Sequence, residues 1–465
     1  MSQHLTALLQ QSYDETPYAS HPFPQSAPEH LEGIATLFGL TPTPPANARV
    51  LELGCAAGGN IIPFTLRNPH AHVVGLDLSA VQIEQGLARV RQLGITNLEL
   101  RQMNLEDADA SLGSFDYIIC HGVFSWVPDS VRQAIMRICS AHLAPRGMAY
   151  ISYNTYPGWK AREIVRDAML FRAEAHTIPA DKLAYARGMT DFLAQMSPEG
   201  SLLRKALDEV MPIIQAAGPT YLMHEFLEHC NQPMYFRDFV ASARAQGLDY
   251  LGDAEPQIMF VSNHGAQVAE PLLKEAGNDQ VLMEQYLDFL SNRSFRQSLL
   301  IHAGEKQAVQ YRLDAQHMEK LHYAWGEDPQ KPESKHRAAP PAEAAAVHAA
   351  LDAAFPATLS FAELCAAAPP PAVTACVEEL IITGRVRYVL RPVACASAAK
   401  VAAGQALVHP AAALQPGVVC NIWHQPVNLS TPEYELLLRL QEGKSPATEH
   451  STELLERLRR FGVLV

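Results

Sequence analysis

Residues 50–60 read Val-Leu-Glu-Leu-Gly-Cys-Ala-Ala-Gly-Gly-Asn, an apolar strand that runs into a turn of small residues and then a helix start. Glycines in such a turn let the backbone approach a ligand closely and adopt unusual dihedral angles. Two carboxylates accompany the turn: Glu52 lies two residues before Gly54, and Asp77 ends the next predicted strand, 19 residues after Gly58. Because ligands of open α/β sheets bind outside the carboxyl ends of the strands, we expect a binding site here.

Two classes of ligand compete for this turn. A dinucleotide dehydrogenase needs G-x-G-x-x-G with little charge before it, so that the pyrophosphate meets the helix N-terminus. Glu52 would repel pyrophosphate, whereas a carboxylate suits a ligand with an ammonium and a sulfonium group, such as S-adenosylmethionine (SAM). Asp77 could then hold both ribose hydroxyls. The pattern favours SAM, and Ala56, in place of the middle glycine, is expected to be tolerated with a negative φ.

Strand and helix patterns alternate from this turn to about residue 155. Near-continuous apolar strands with helical crossovers predict a parallel sheet that is covered on both faces. The five strands are expected at 50–53, 73–76, 98–100, 115–120 and 148–152. Residues 160–232 are predicted to be helical, 248–251 to resume the sheet, and 280–325 to be helical again.

Composition argues against several classes of protein. The net charge is −13, from 36 basic and 49 acidic residues, and broad nucleic-acid binding needs a basic surface. The eight cysteines show no C-x-x-C spacing, so no metal site is expected and a reduced, cytoplasmic protein is predicted. No apolar run reaches about 18 residues, so no membrane insertion is expected.

Several segments carry a resemblance to a known family. The Glu-Leu-Gly turn, Asp77, the strand from Phe115 and the residues 145–147 resemble class I SAM-dependent methyltransferases. Segments 13–18, 115–128, 153–160, 224–227 and 292–296 are similar to a bacterial family with a methyltransferase domain, a regulatory domain and a C-terminal domain. Its best-understood members are rickettsial protein-lysine methyltransferases that act on outer-membrane proteins. The resemblance covers most of the chain and is strongest from 13 to 160.

The resulting fold class is α/β, with a Rossmann-like methyltransferase sheet, a helical insertion and a C-terminal α+β region that is winged-helix-like. The expected domains are a SAM-binding domain at 1–160, an insertion for the acceptor or for dimerisation at 161–232, a regulatory middle region at 233–335 that returns to the sheet, and the C-terminal domain at 336–465. The candidate recognition helix of that last domain, 371–383, has no Lys or Arg. It would repel phosphate, so no nucleic-acid partner is predicted.

The resemblance implies a cofactor site. Its residues would be Glu52, Gly54, Gly58 and Asn60 at the methionine end, Asp77, Leu78, Asn104 and Leu105 at the ribose and adenine, His121 at the sulfonium, and Tyr13 and Tyr18 closing over the cofactor. Simpler roles stay open: Asp77 as a helix cap, Asn104 as a turn residue, His121 as a supporting group, and the two tyrosines as packing.

An acceptor site is expected beside the cofactor. A methyl group on a sulfonium needs no activation, so the enzyme must align the nucleophile and deprotonate it if it is an amine. The expected catalytic residues are Tyr153, His121 and Tyr156, and the expected substrate-binding residues are Trp126, Asn154 and Trp159. Aromatic rings around a lysine stem would form an apolar channel with cation–π character. The alternative is that residues 156–159 form only a turn packed on the sheet edge.

Three functions remain at this point. The first is methylation of lysine side chains on a protein substrate. The second is methylation of a small molecule or a biosynthetic peptide, and the third is a non-catalytic protein that kept the fold. The strand that ends in Cys120-His121-Gly122, rather than in Asn/Asp-Pro-Pro-Tyr, argues against a nucleobase or glutamine-amide acceptor. A homodimer is left open.

Overall fold

A seven-stranded sheet forms the centre of the fold. The structure is a computed structural model and describes residues 10–11, 13–14, 17, 20–228, 230–326, 342, 344–396, 400, 408–409, 417–443 and 451–465. The strands of the sheet are β1 Arg49–Leu53, β2 His72–Asp77, β3 Leu98–Gln102, β4 Phe115–Cys120, β5 Leu143–Asn154, β6 Leu248–Asp253 and β7 Phe295–His302. Their order is β3-β2-β1-β4-β5-β7-β6.

The first five strands are parallel, and β7 runs antiparallel to both β5 and β6. The predicted five-strand parallel sheet and the return of the chain to it at 248 are therefore confirmed. β1 is buried at four of its five positions, as a strand covered on both faces must be. The fold is α/β, with a mixed Rossmann-like methyltransferase sheet and additional small sheets in the C-terminal part.

Helices cover both faces of the sheet. They are α1 Pro28–Leu37, α2 Ile61–Arg67, α3 Ala80–Gln92, α4 Asp129–His142, and, after the helical insertion, α9 Phe236–Arg244 and α11 Gln280–Leu290. Between the last two, α10 Ala266–Ala276 packs on α11 in a small separate core. α3 illustrates the local reasons: Ser79 caps it by accepting a hydrogen bond from the backbone N–H of Gln82, while Ile83 and Val90 are buried on one face.

The prediction that 280–325 is helical throughout is wrong, because this stretch contains β7 and another strand, β8 His322–Trp325. The sequence of β7 hides its strand character, since its inward side chains include polar ones. Arg296 is 1% exposed and pairs with Glu284 at 2.9 Å and Asp288 at 2.7 Å, which satisfies its charge inside the protein. Buried charges of this kind are retained only when they are paired.

The insertion after β5 is helical, as predicted. It consists of α5 Trp159–Ala173, α6 Pro179–Met196, α7 Leu202–Ala216 and α8 Pro219–Phe226. These helices have a small apolar core of their own, in which Val165, Val210 and Leu222 are fully buried. α8 returns the chain towards the carboxyl ends of the central strands.

The C-terminal part forms two smaller units. The first contains α12 Ala315–Met318, β8, α13 Ala345–Ala354, β9 Leu359–Ser360, α14 Phe361–Cys365, α15 Pro370–Ile382 and β10 Val386–Val389. Its sheet has the order β10-β8-β9 and its core is continuous with that of the central sheet. The boundary expected at 336 therefore falls between two strands of one sheet, because β8 supplies the central strand of this unit.

The second unit contains β11 Val418–Cys420, β12 Pro426–Asn428, α16 Thr431–Gln441 and α17 Ser451–Arg460. It has a separate apolar core, and Leu464 forms a bridge to Val408. Across the described part of the chain, none of the helices combines the length and the apolar character needed to cross a membrane. The same residues contain no cluster of metal-ligating side chains.

Candidate active site

A cavity of about 400 Å³ lies at the carboxyl ends of β1, β2 and β4, where the rule for open α/β sheets places a ligand. Eleven residues expected at the site line it: Tyr13, Glu52, Gly54, Asn60, Asp77, Leu78, Asn104, Leu105, His121, Trp126 and Asn154. Gly58, Tyr153, Tyr156 and Trp159 do not line it, and Tyr18 lies outside the described residues.

Asp77 holds the glycine turn against the end of β2. Its Oδ2 accepts a hydrogen bond from the backbone N–H of Ala56 at 2.8 Å, and its Oδ1 accepts one from Ser79 at 2.9 Å. Ser79, not Asp77, caps the following helix. Burial raises the pKa of Asp77. A carboxylate has about four acceptor positions, so both oxygens can still accept ribose hydroxyls.

Ala56 adopts φ +48°, so the negative φ under which alanine was expected to be tolerated here is not present. The turn is pinned on both sides, because the N–H groups of Gly54 and Cys55 both donate to the carbonyl of Leu76, at 2.8 and 3.0 Å. In this turn Ala56 has a left-handed conformation, and its N–H donates to Asp77. This conformation is costly for a residue with a Cβ.

The two glycines of the turn have different roles. Gly54 has φ +75°, and a Cβ there would collide with the side chain of Val123, so the cavity wall requires glycine at this point. Gly58, at φ +77°, lies behind the wall, and its carbonyl accepts from the N–H of Ile62 at 2.8 Å in the first turn of α2. Gly58 therefore shapes the turn rather than lining the ligand space.

Glu52 presents a buried acceptor to the cavity. The carboxylate is 3% exposed, and its Oε1 accepts a hydrogen bond from Asn60 Nδ2 at 2.7 Å. Its Oε2 has no hydrogen-bond partner among the described residues. Burial raises the pKa of Glu52 to about 8. Because a buried polar atom normally has a partner, an unpartnered oxygen on a cavity wall fits a ligand donor such as an ammonium group.

The opposite end of the cavity is apolar. Leu78, Met103 and Leu105 line it, which suits the face of an adenine ring. Asn104 also lines it, and its Oδ1 accepts from the N–H of Glu106 at 3.1 Å. The turn role that the sequence left open for Asn104 is therefore real, and its carbonyl oxygen keeps a second lone pair for a ligand.

His121 is held in one tautomer by its neighbours. The hydroxyl of Tyr150 donates to Gln297 Oε1 at 2.6 Å, so the Nδ1–H of His121 donates to the Tyr150 oxygen at 2.8 Å. His121 Nε2 is then an acceptor. Burial lowers the pKa of His121 to about 3, and the ring stacks on Phe23 at 3.7 Å, so the imidazole is neutral.

Tyr153 lies away from the cavity, which corrects its expected position. β5 runs to Asn154, two residues beyond the expected end, so the alternation of a strand sends Tyr150 and Asn154 to the cavity side and Tyr153 to the other face. Tyr153 is 1% exposed, its hydroxyl lies 3.0 Å from Ser298 Oγ, and its ring stacks on Phe239 at 4.1 Å. It is a core residue here.

Tyr156 and Trp159 are also outside the cavity wall. Trp159 begins α5, is fully buried and packs edge-on against Trp126, with ring centroids 6.1 Å apart. Tyr156 donates its hydroxyl to Glu163 Oε1 at 2.6 Å, and Lys160 Nζ lies 3.7 Å from its ring centroid. Both residues support the start of the insertion, as the turn alternative proposed, while Trp126 and Asn154 reach the cavity.

The insertion supplies cavity residues that sequence reasoning missed. They are Arg162, Tyr221, His224 and Glu225, and Phe295 joins them from β7. Burial raises the pKa of Glu225 to about 7, against the opposing effect of two nearby arginines. His224 stacks on Tyr13 at 5.0 Å. The segment 224–227 carried part of the family resemblance, and this was the signal that could have assigned it a role.

Comparisons with known proteins agree with this geometry. Residues 51–149 match the family described as "Methyltransferase domain", and residues 218–302 match "Predicted methyltransferase regulatory domain". Two proteins of Rickettsia prowazekii (strain Madrid E) are similar in sequence. RP789 is 40% identical over 332 residues, 69% of this chain and 57% of its own length, and RP028 is 37% identical over 242 residues, 52% of this chain and 96% of its own length.

The chain therefore belongs to the class I SAM-dependent methyltransferases that carry a methyltransferase regulatory domain. Within that class it is similar over nearly its whole length to PKMT2 from Rickettsia typhi, with a TM-score of 0.80 and 25% identity over 96% of this chain and 100% of that chain. A second structure, PKMT2 in complex with AdoHcy, gives a TM-score of 0.79 and 26% identity over 95% and 92% of the two chains.

Proposed function

We propose that the protein transfers the methyl group of SAM to lysine side chains of a polypeptide. The observation that carries the proposal is one cavity that is lined by Glu52 and Glu225 in addition to Asp77. Glu52 lies at the turn after β1, and Glu225 lies on the insertion side. The first suits the ammonium of the cofactor, and the second suits the ammonium of an acceptor lysine. The likeness to a protein lysine methyltransferase, PKMT2, supports the second assignment.

In the cofactor half of the cavity, SAM would be held by residues of the central sheet. Glu52 Oε2 would accept from the ammonium, Asp77 would accept the ribose hydroxyls, and Leu78 and Leu105 would pack on the adenine. When bound, SAM supplies a methyl group on a positively charged sulfur, so no acid is needed for the leaving group. The residues around it have to orient the acceptor and exclude water.

The acceptor half has to deliver a neutral amine. A free lysine has a pKa near ~10.4, so its ammonium must lose a proton before it can attack. With its pKa raised to about 7, Glu225 can first attract the ammonium and then accept its proton. His121 Nε2 is an acceptor that could hold one amine N–H while the lone pair points at the methyl group. Trp126 and Tyr221 would pack along the stem.

The test combines labelled SAM with a panel of lysine-containing proteins, followed by peptide mapping. Label on lysine supports the proposal, and no label on lysine, with label only in small metabolites, refutes it. Failure to bind SAM at all would favour the non-catalytic alternative. Replacing each labelled lysine by arginine in a peptide substrate should abolish labelling, because the arginine side chain keeps its proton.

Glu225→Gln tests the acceptor half of the proposal. We expect kcat to fall by roughly 10²–10⁴-fold, the usual contribution of a positioned proton acceptor, with little change in SAM affinity. Glu163→Gln is the matched control, because Glu163 is a carboxylate of the same insertion that bonds Tyr156 outside the cavity. Equal loss in both variants would contradict the role of Glu225.

Four expectations stay predictions. They are a protein acceptor, a possible homodimer, the absence of a nucleic-acid partner and a cytoplasmic location. A cytoplasmic location is proposed on the cysteine pattern; the eight cysteines, all described, are free thiols.

A further inference from the structure

A buried chain of hydrogen bonds joins the last C-terminal unit to the cofactor end of the cavity. His424 lies at the tip of the β11–β12 hairpin and is 2% exposed. Its Nε2 is 3.0 Å from Asn60 Oδ1, and its Nδ1 is 2.9 Å from Arg67 Nη2. Asn60 in turn donates from Nδ2 to Glu52 Oε1 at 2.7 Å. The hairpin therefore reaches the carboxylate through one intermediate residue.

The chemistry of these partners fixes the position of each proton in this series of hydrogen bonds. A guanidinium only donates, so His424 Nδ1 accepts from Arg67 and the ring proton is on Nε2. That proton is donated to Asn60 Oδ1, which also accepts the backbone N–H of Phe23 at 2.9 Å. Two donors on one side of the Asn60 amide fix its orientation. Its NH₂ group must then face Glu52, which leaves Glu52 Oε2 directed to the cavity.

The hairpin tip is built to present this histidine. His424 adopts φ +57°, a conformation that is uncommon for residues other than glycine, although histidine adopts it more often than most. Asn421 is fully buried, and its Oδ1 accepts the N–H groups of Trp423 at 2.8 Å and Gln425 at 2.9 Å. Trp423 anchors the same tip by donating Nε1–H to the carbonyl of Pro356 at 2.9 Å. A strained residue held by its surroundings is a reason to look for a function.

We propose that His424 is a positioning residue of the methyl-donor site, which acts through Asn60 to hold Glu52 ready for the ammonium group of SAM. The C-terminal unit is then a working part of the cofactor site rather than an appended module. The inference rests on the proposed function only for the identity of the ligand.

Two variants separate positioning from a merely structural role. His424→Gln keeps an N–H near the place of Nε2, so the bond to Asn60 can be retained. His424→Asn reaches only the place of Nδ1, so it keeps the acceptor for Arg67 and loses the donor to Asn60. Asparagine is more tolerant of positive φ, so a structural role predicts that the Asn variant is the better of the two. The positioning role predicts the reverse.

The measurement is SAM binding to the full chain by calorimetry, at a temperature well below each variant's unfolding midpoint. We expect the Kd of His424→Asn to rise roughly two- to tenfold, the value of one neutral hydrogen bond, and that of His424→Gln to stay within about twofold. Trp423→Phe is the control, since it loses a hydrogen bond of the same hairpin that does not reach Asn60. Its Kd should be unchanged.

A double-mutant cycle provides the second measurement. If His424 acts through Asn60, the loss from His424→Asn disappears in an Asn60→Ala background, whereas additive losses overturn the proposal. An unchanged Kd in His424→Asn, or an equal rise in Trp423→Phe, also overturns it. If the wild-type chain binds SAM and the variants bind equally well, only this inference fails. If the wild-type chain does not bind SAM, the proposed function fails with it.

Discussion

Replacing Glu52 by glutamine is the sharpest test of the cofactor site. The wild-type carboxyl is buried and its pKa is raised to about 8, so in the free protein at pH 6.5 nearly all of it is protonated. A ligand ammonium placed at Oε2 would favour the ionised form. Ligand binding should then release a proton from Glu52, and Glu52→Gln has no proton to release.

The size of the effect follows from the pKa. About 1.5 pH units separate pH 6.5 from the pKa of about 8, so roughly 97% of Glu52 is neutral in the free protein. A charge-assisted hydrogen bond worth roughly 1.5–3 kcal/mol would lower that pKa by about 1–2 units, so roughly 0.3–0.8 proton is released per ligand bound. Ionising the group at that pH costs about 2 kcal/mol, and a charge-assisted hydrogen bond returns roughly 1.5–3 kcal/mol. The Kd therefore changes little at pH 6.5, and the proton count is the discriminating quantity.

The assay is calorimetry in buffers of different ionisation enthalpy, with AdoHcy as the ligand. AdoHcy has the ammonium group of SAM without the positively charged sulfonium. Its binding should therefore change the protonation of the other cavity carboxyls less than SAM binding does. Release of roughly 0.3–0.8 proton by the wild type and about none by Glu52→Gln is expected. Equal proton release by the two proteins would refute the reasoning.

The same variant, Glu52→Gln, should stabilise the folded protein in a pH-dependent way. Because burial raises the pKa of Glu52 from 4.5 to about 8, the folded protein binds this proton more tightly than the unfolded chain does. The contribution of Glu52 is therefore least unfavourable below about pH 4.5 and becomes more unfavourable as the pH rises to about 8. Glu52→Gln should raise the unfolding midpoint at pH 8 more than at pH 5.

Four further substitutions have defined outcomes. Asp77→Ala should raise the Kd for SAM roughly ten- to a hundredfold, because it removes a charged acceptor worth ~1.5–3 kcal/mol; calorimetry showing an unchanged Kd would contradict the ribose assignment. Ala56→Gly should stabilise the fold by up to about 1 kcal/mol, since the cost of positive φ exceeds the entropy cost of glycine; an unchanged or lower unfolding midpoint would count against this. Tyr153→Phe should cost about 1 kcal/mol of stability and leave kcat unchanged, whereas Tyr150→Phe, which loses the partner of His121, should lower kcat. A fall in kcat for Tyr153→Phe alone would restore its expected catalytic role.

The cofactor half of the site could be predicted from the sequence because it is local. A strand, a turn and a following strand end bring Glu52, Gly54 and Asp77 together within 26 residues, and parallel strands place their carboxyl ends at one edge. Nine of the residues expected to bind the cofactor line one cavity. The positive φ of Ala56 could not be anticipated, because it occurs in a turn whose N–H donates to Asp77, 21 residues further along the chain.

The acceptor half could not be predicted in the same way. Its position depended on where β5 ends: with the expected end at 152 Tyr153 would follow the strand, whereas β5 runs to Asn154 and strand alternation turns Tyr153 away from the cavity. The residues that do reach the cavity from α8 lie some 70 residues further along the chain, on a helix without a chemical motif. The contact from His424 to Asn60 spans 364 residues, and no spacing rule anticipates it.

The two histidines near the site show how tertiary partners decide chemistry that the sequence leaves open. Tyr150 and Gln297 make His121 carry its proton on Nδ1, whereas Arg67 makes His424 carry its proton on Nε2. One ring therefore offers a lone pair and the other offers an N–H, although the side chains are identical. Burial lowers the pKa of both, so neither titrates near neutral pH.

Histidine is ordinarily the side chain that titrates near neutral pH, but in this site the buried carboxyls do so instead. Burial raises the pKa of Glu225 to about 7 and that of Glu52 to about 8, so both groups ionise between pH 6 and 9. In the proposed function, ionised Glu52 would attract the ammonium of the methyl donor, and ionised Glu225 would take the proton of the acceptor amine. Both changes act in the same direction, so binding and deprotonation improve together as the pH rises through this range, with each carboxyl serving a different substrate.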